Sequence, residues 1–334
     1  SDVLTRLAAR ADVIIDAGEA RVVDRRLPIY RELSAQDPRL IVCTITPFGL
    51  DGPWRDFRAN DLTQLAMGGI MGVCGYDPRP DGVYDTPPIA PGMWQSYHLG
   101  GEYAALSTTA ALNFRELSDE GQFIDVSIHE AVNTCTELAM PTYIYAGKVV
   151  KRQTARHAGV GISNPWLHQS GGGGYVNATV SPFEREFRGL VALLDEAGIA
   201  HDLRSAAYDD QKKRGTAAAQ SHINGLIDRL VASMTAEEMF HRAQAKGLGW
   251  APVRRPENNL DDPHFRARGS FAPIDHPELG RELYYPASVA TDGGNRVMGP
   301  VCRAPHLGEH TREVLLAAGL SAAEIDALAS TGAI

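Results

Sequence analysis

Helical and β-branched segments alternate from the first residues of the chain, and this alternation restricts the fold more than any other feature. Leu4, Leu7, Ala8 and Ala11 recur at helical spacing, and Val13-Ile14-Ile15 follows as a short strand, read as buried, that ends at Asp16. Residues 22–35 read as helix again, and Pro38 precedes a second β-branched run, Leu40-Ile41-Val42-Cys43-Thr44-Ile45. Short apolar strands separated by helical segments belong to α/β units, in which helices cover a parallel sheet. Thr46-Pro47-Phe48-Gly49 and Asp51-Gly52-Pro53 then supply turn chemistry after a strand's C-terminal end. That end is where α/β proteins hold their ligands.

The pattern continues with a helix over 60–73 carrying Ala66, Gly68, Gly69 and Gly72, small residues that permit close packing. A Pro/Gly/Asp-rich loop covers 75–92, and a second small-residue helix runs over about 95–116. Phe123 to Ser127 reads as a strand, and Ile128 to Ala146 as one long helix. At 147–172 the composition shifts to basic residues and then to Gly, Ser, Pro and Asn, the signature of a linker. Beyond it, Tyr175 to Val180 is expected as a strand and 182–198 and 216–246 as helices. Residues 250–304 read as short strands and turns, and Thr311 to Ala329 as an amphipathic helix pair.

Composition removes several function classes. With 32 Lys plus Arg against 41 Asp plus Glu, the net charge is −9, the opposite of the balance that holds nucleic acid. No apolar run approaches the ~18 residues of a membrane span, and the first residues lack the pattern of a signal peptide. A cytoplasmic protein with no nucleic-acid or membrane partner is the expectation. Cys43, Cys74, Cys135 and Cys302 form neither a CxxC pair nor a zinc-ribbon spacing, so they read as reduced thiols. His306-Leu307-Gly308-Glu309-His310 spells a metalloprotease-like H-x-x-E-H, but Pro305 and Gly308 place His306 ahead of a helix, not on its face. No metal is expected. The run Gly171 to Gly174 precedes a strand and so reads as a hairpin turn or flexible linker, not a phosphate loop. Neither a Gly-Lys-Ser/Thr nor a GxSxG elbow occurs.

The richest segment is Gly121-Gln122-Phe123-Ile124-Asp125-Val126-Ser127-Ile128-His129-Glu130-Ala131. It sets two carboxylates, Asp125 and Glu130, across a strand-to-helix junction. Glu130 falls in the first turn, where unpaired N–H groups favour a negative charge. From the residues alone, Glu130 reads as a helix-start charge and Asp125 as a cap or turn residue, with a reactive role as the lesser alternative for each.

This segment resembles the central signature of the class III CoA-transferases, a family that includes carnitine and formate CoA-transferases and α-methylacyl-CoA racemase. The resemblance extends over nearly the whole chain, in the family's order. It takes in Ala11 to Ile15, Asp37 to Ile41, Phe48-Gly49-x-x-Gly52-Pro53, Asp61-Leu62-x-Gln64-x-Ala66-Met67-x-Gly69 and Ala110-Ala111-Leu112-x-x-Arg115. Gly249 to Val253, Asp262 to Phe265 and Arg303 to Thr311 complete it. Each piece is weak by itself; eight in order are specific.

The resemblance implies a Rossmann-like large domain over 1–150, a linker at 151–172, a smaller α/β domain over 173–300 and a segment at 301–334 that returns to the large domain. It implies an interlocked dimer, formed with an identical or a homologous chain. Against the family, the start of the chain looks about 70 residues short, a stretch that would hold the first strand and helix of the Rossmann sheet. Such a sheet would expose an apolar edge, so the chain is not expected to be a stable monomer.

The implied substrates are coenzyme A, as an acyl-CoA, and a carboxylic acid. The family nucleophile is an Asp at the position Glu130 occupies. The racemase branch uses an Asp that matches Asp125 together with a His where this chain has Asn60. The resemblance makes Arg25 and Arg58 the candidates for the adenosine phosphates, with Arg21 and Arg26 nearby, and adds Asp61 to the CoA site. The family's Asn-Phe pair beside this site is Ala17-Gly18 here, and Trp94-Gln95-Ser96-Tyr97 lacks its usual aspartate. The expected activity is therefore CoA transfer from an acyl-CoA to a carboxylic acid. A noncatalytic partner half and a racemase using Asp125 are the alternatives.

Overall fold

The two β-branched runs form β1 (Val13–Ala17) and β2 (Ile41–Thr46), joined in a parallel sheet with β3 (Phe123–Ser127). The strand order is β1-β2-β3. The structure is a computed structural model that describes residues 2–136, 138–292, 295–296 and 302–334. It divides into two units, residues 1–250 and 251–334.

β2 is central and almost wholly buried, as a parallel strand covered on both faces must be. β1 lies at the sheet's margin, and Ile15 within it is 61% exposed, which corrects the expectation of a buried strand. Apolar composition reports what a strand can bury; whether a neighbour covers it is a tertiary matter.

Ahead of β1 stands α1 (Asp2–Ala8), and the expected helix over 22–35 divides into α2 (Ala20–Asp24) and α3 (Leu27–Gln36), with Pro28 in the first turn of the second. The helix over 60–73 likewise divides into α4 (Asp61–Met67) and α5 (Ile70–Val73). Gly69 between them takes φ 98°, a conformation that ends a right-handed helix. The long α6 (Gln95–Ser118) buries Ser96, Gly100, Ala104, Thr108, Ala111 and Arg115, one residue per turn. The small residues bring it close to its neighbours: a Cβ on Gly100 would lie 2.9 Å from Ile128 Cγ1, just beyond β3, and 3.7 Å from Ile45 Cγ2 of β2.

The helix expected over 128–146 is two, α7 (Ile128–Thr134) and α8 (Ala139–Ala146). Pro141 has no N–H to donate and its ring clashes with the preceding turn, so it fits only in the first turn of a new helix. Leu65, Ile128 and Val132 form the core beneath α4, α6 and α7.

Residues 167–169, at the end of the expected linker, form β4 (Leu167–Gln169), which pairs antiparallel with β5 (Tyr175–Asn177) across a turn containing Gly171 to Gly174. The glycine run is thus a hairpin turn. His168 ties the hairpin down, with Nδ1 2.6 Å from Asp228 Oδ1 and Nε2 3.0 Å from the Ala178 carbonyl. Helices α9 (Glu184–Glu196), α10 (Gln211–Arg214), α11 (Ala217–Ala232) and α12 (Ala236–Ala245) follow. The helix expected over 216–246 breaks because Thr235 caps a new one, its side chain accepting from the Glu238 N–H at 3.2 Å. Leu190, Leu194, Ile223, Leu226, Leu230, Met239 and Trp250 fill a second core, and the Trp250 indole donates to the Thr179 carbonyl at 2.8 Å.

The second unit holds the two-residue β6 (Ala251–Pro252), α13 (Pro263–Ala267) and an antiparallel pair, β7 (Phe271–His276) and β8 (Arg281–Pro286). The helix pair expected at the C-terminus is α14 (Thr311–Ala317) and α15 (Ala322–Ser330). Residues 293–294 and 297–301, in the stretch expected as short strands and turns, lie outside the described residues. His306 precedes α14, and Glu309 is held by Arg303 and the His306 N–H, which lower its pKa to about 2. Among the described residues no helix is long and apolar enough to cross a membrane.

Candidate active site

Parallel pairing places the C-terminal ends of β1, β2 and β3 side by side, so the segments leaving these strands meet at one edge. The Gly18 N–H donates to the Ile45 carbonyl at 3.0 Å, tying the exit of β1 to β2. The loop after β2 is held from two sides through one atom, the Pro47 carbonyl. It accepts from the His129 N–H at 3.1 Å and from Gln64 Nε2 at 2.8 Å. The next turn rests on Asp125, whose Oδ2 accepts from the Leu50 N–H at 2.8 Å and whose Oδ1 accepts from Thr44 Oγ1 at 3.2 Å. Gly49 fits this turn with φ 90°, and a Cβ there would stand 3.6 Å from Asp125 Oδ2.

These contacts frame a cavity of about 410 Å³. Ala17, Gly18 and Glu19 line it from the end and exit of β1, Ile45 and Pro47 from the end and exit of β2, Ala59 and Gln64 from α4 and its approach, Tyr97 and Gly101 from α6, and Ile128 from α7. Gln64 is wholly buried and its Oε1 has no hydrogen-bond partner among the described residues. An unpaired buried acceptor is costly and marks a place where a donor would be stabilised.

Glu130 lies two residues beyond Ile128, exposed in the first turn of α7, and its N–H is capped by Ser127 Oγ at 3.3 Å. Asp125 and Glu130 therefore flank Ile128 on one strand–helix junction; neither lines the cavity itself, and their surroundings differ. Asp125 holds the loop, whereas no side-chain partner of Glu130 occurs among the described residues. Asp61 turns Oδ1 to the N-terminus of α6, accepting from the Ser96 N–H at 2.9 Å and Ser96 Oγ at 2.7 Å. Asn60 caps α4, its Oδ1 accepting from the Thr63 N–H at 2.9 Å. Arg25 and Arg58 are exposed and neither lines the cavity, although Arg58 adjoins the lining residue Ala59.

Below the same edge Asp16 is buried with two donors, Arg26 and, at 2.8 Å, the Tyr30 hydroxyl. Burial and the adjacent carboxylate push the Tyr30 pKa up to about 12. Burial also raises the Cys43 thiol, which keeps it protonated and structural. Reasoning from sequence missed Gln64, His129 and Thr44 as site residues. Gln64 stood in a quoted motif, but its burial and its contact with Pro47 depend on chain segments that meet only in the fold.

The family model for CoA-transferase family III matches residues 1–311. The chain belongs to CoA-transferase family III. Among the members it resembles, the succinyl-CoA–D-citramalate CoA-transferase of Chloroflexus aurantiacus is 27% identical over 92% of this chain and 73% of that protein. The BbsE subunit of succinyl-CoA:(R)-benzylsuccinate CoA-transferase from Thauera aromatica is 27% identical over 100% of this chain and 79% of that protein. A CAIB/BAIF family protein from Brucella suis shares the fold, with TM-score 0.75 and 22% identity over 95% of this chain and 78% of that one. As a family III member, the chain is assigned to the enzymes that handle CoA thioesters, and the cavity at the sheet's C-terminal edge is its candidate active site.

Proposed function

We propose that the chain transfers CoA from an acyl-CoA to a carboxylic acid, with Glu130 as the nucleophile. The observation that carries this reading is the exposed Glu130 in the first turn of α7, the turn from which Ile128 lines the cavity. Glu130 attacks the thioester carbonyl, the C–S bond breaks, and a mixed anhydride forms as CoA leaves as its thiolate. The thiolate then attacks the Glu130 carbonyl and releases the donor acid as its carboxylate, leaving a glutamyl thioester. The acceptor carboxylate attacks that carbonyl in turn and expels the thiolate. The thiolate captures the acceptor's acyl group from the new anhydride and frees Glu130. The carboxylate is regenerated, and no step consumes water.

Asp125 acts in this reading as a positioning residue that holds the loop after β2. Its oxygens are engaged by Leu50 and Thr44, and Asn60, which stands at the racemase histidine's position, is engaged by Thr63. Neither is suited to shuttling a proton. Arg25, Arg58 and Asp61 remain the residues proposed at the CoA end of the site. The names of the relatives make succinyl-CoA the first donor to try. Assembly with a second chain, identical or homologous, belongs to the same proposal. It is supported by α8, in which no residue is buried, and by relatives named as alpha and beta subunits.

Trapping tests the nucleophile. After incubation with succinyl-CoA, hydroxylamine or borohydride should modify the Glu130 peptide, as read by mass spectrometry, and Glu130→Gln should lower transfer on the order of 10⁴-fold or more. Thioester binding without any Glu130 adduct would sink this reading and favour a noncatalytic partner half.

A further inference from the structure

Four rings gather where the loop after β2 meets α7. Phe48 lies 6.1 Å from Trp54 and 6.4 Å from Phe57, centroid to centroid, and Trp54 stacks on Phe57 at 6.4 Å with 20° between planes. The His129 ring lies 5.4 Å from Phe48 and 5.8 Å from Trp54. His129 directly precedes Glu130 on the first turn of α7. Trp54 is 43% and Phe57 54% exposed, so two large rings of the cluster face outward beside the proposed nucleophile.

The cluster is fixed in place. The Pro47–His129 and Leu50–Asp125 hydrogen bonds anchor its loop to α7 and β3, and Gly52, at φ 80°, sets the turn before Trp54. The His129 ring packs edge-on or tilted against Phe48 and Trp54, so its faces and edges join the same aromatic surface. A pre-ordered aromatic surface takes up another ring at little entropic cost, by stacking or edge-to-face contact. A small polar acid has no use for such a surface.

We propose that Phe48, Trp54, Phe57 and His129 form the wall that receives the acyl group, and that the substrates carry an aryl or similarly bulky apolar substituent. This rests on Glu130 being the reacting group, because the wall adjoins it. Desolvation of the rings by such a substituent strengthens binding, and it also covers the anhydride and thioester on Glu130 from water.

Calorimetric titration of the full chain with acetyl-CoA and with phenylacetyl-CoA tests the wall. Phenylacetyl-CoA should bind roughly 10-fold more tightly. Trp54→Ala and Phe57→Ala should each reduce that ratio to about 3-fold or less, and Trp54→Phe should retain most of it. If Trp54→Ala fails to fold, Phe57→Ala, at the more exposed ring, carries the test. Equal affinities in the unsubstituted chain, or a ratio untouched by the alanine variants, overturn the wall. An aryl preference without a Glu130 adduct supports the wall and overturns transfer; an adduct without preference does the reverse. Failure to bind either thioester overturns both.

Discussion

In the proposed reading Glu130 stands where the resemblance puts an aspartate nucleophile, and its one extra methylene moves the carboxylate by more than an ångström. Displacement of that size costs about 10²-fold in rate when the rest of a site is fixed. If the loop carrying Phe48 and Trp54 is shaped around the longer side chain, Glu130→Asp withdraws the carboxylate from the thioester and lowers kcat by about 10²-fold with little change in KM. Steady-state assay of the variant with succinyl-CoA checks this, and a variant as fast as the parent would show that the surroundings fit aspartate. At Asp125 the two roles open in the sequence are narrowed by contact. The Leu50 N–H it accepts is 75 residues away along the chain, a separation no local pattern reports.

At the scale of elements, the motif's opening glycine has a steric explanation. Gly121 N–H donates to the Pro38 carbonyl at 2.7 Å, and a Cβ on Gly121 would stand 2.0 Å from the Leu40 carbonyl oxygen. The segment entering β3 is pressed against the segment entering β2, which sets the register that brings Thr46 opposite Ser127. Gly121→Ala must push these backbones apart, and a loss of about 1–3 kcal/mol is expected in urea denaturation. An unchanged midpoint would contradict the close approach. Strands were easier to read than helix ends. β3 covers Phe123 to Ser127, the residues read as a strand, whereas the helices over 60–73, 128–146 and 216–246 each proved to be two. The reasons are specific: a left-handed Gly69, Pro141 confined to a first turn, and a capping Thr235. All three breakers stand in the sequence, but apolar periodicity runs through them when the same face stays buried on both sides of the break.

At the scale of the molecule, uncovered apolar residues occur along much of the chain, and three of those on α8 are consecutive. Ile15 on the marginal strand β1, and Tyr143, Ile144 and the 88%-exposed Tyr145 on α8, lie on elements with few or no buried residues of their own. A run of exposed apolar residues such as Tyr143 to Tyr145 on α8 marks an interface. Sedimentation velocity of the full chain should show a dimer, or a heteromer once a homologous chain is supplied. A monodisperse monomer at micromolar concentration would count against the assembly proposed above. What the sequence determined by itself is what depends on local periodicity and on ordered motifs. These are the parallel α/β pattern, the strand–helix junction carrying Asp125 and Glu130, and the resemblance to a CoA-handling family. Tertiary structure alone decided which side chains are already engaged. Asp125, Asp61 and Asn60 are held by Leu50, Ser96 and Thr63, Gln64 is buried against Pro47, and four rings from a loop and a helix meet beside Glu130. The physical reason is that a hydrophobic period records which face an element buries, while a hydrogen bond or a ring contact exists only after segments distant in the chain have been brought within a few ångströms.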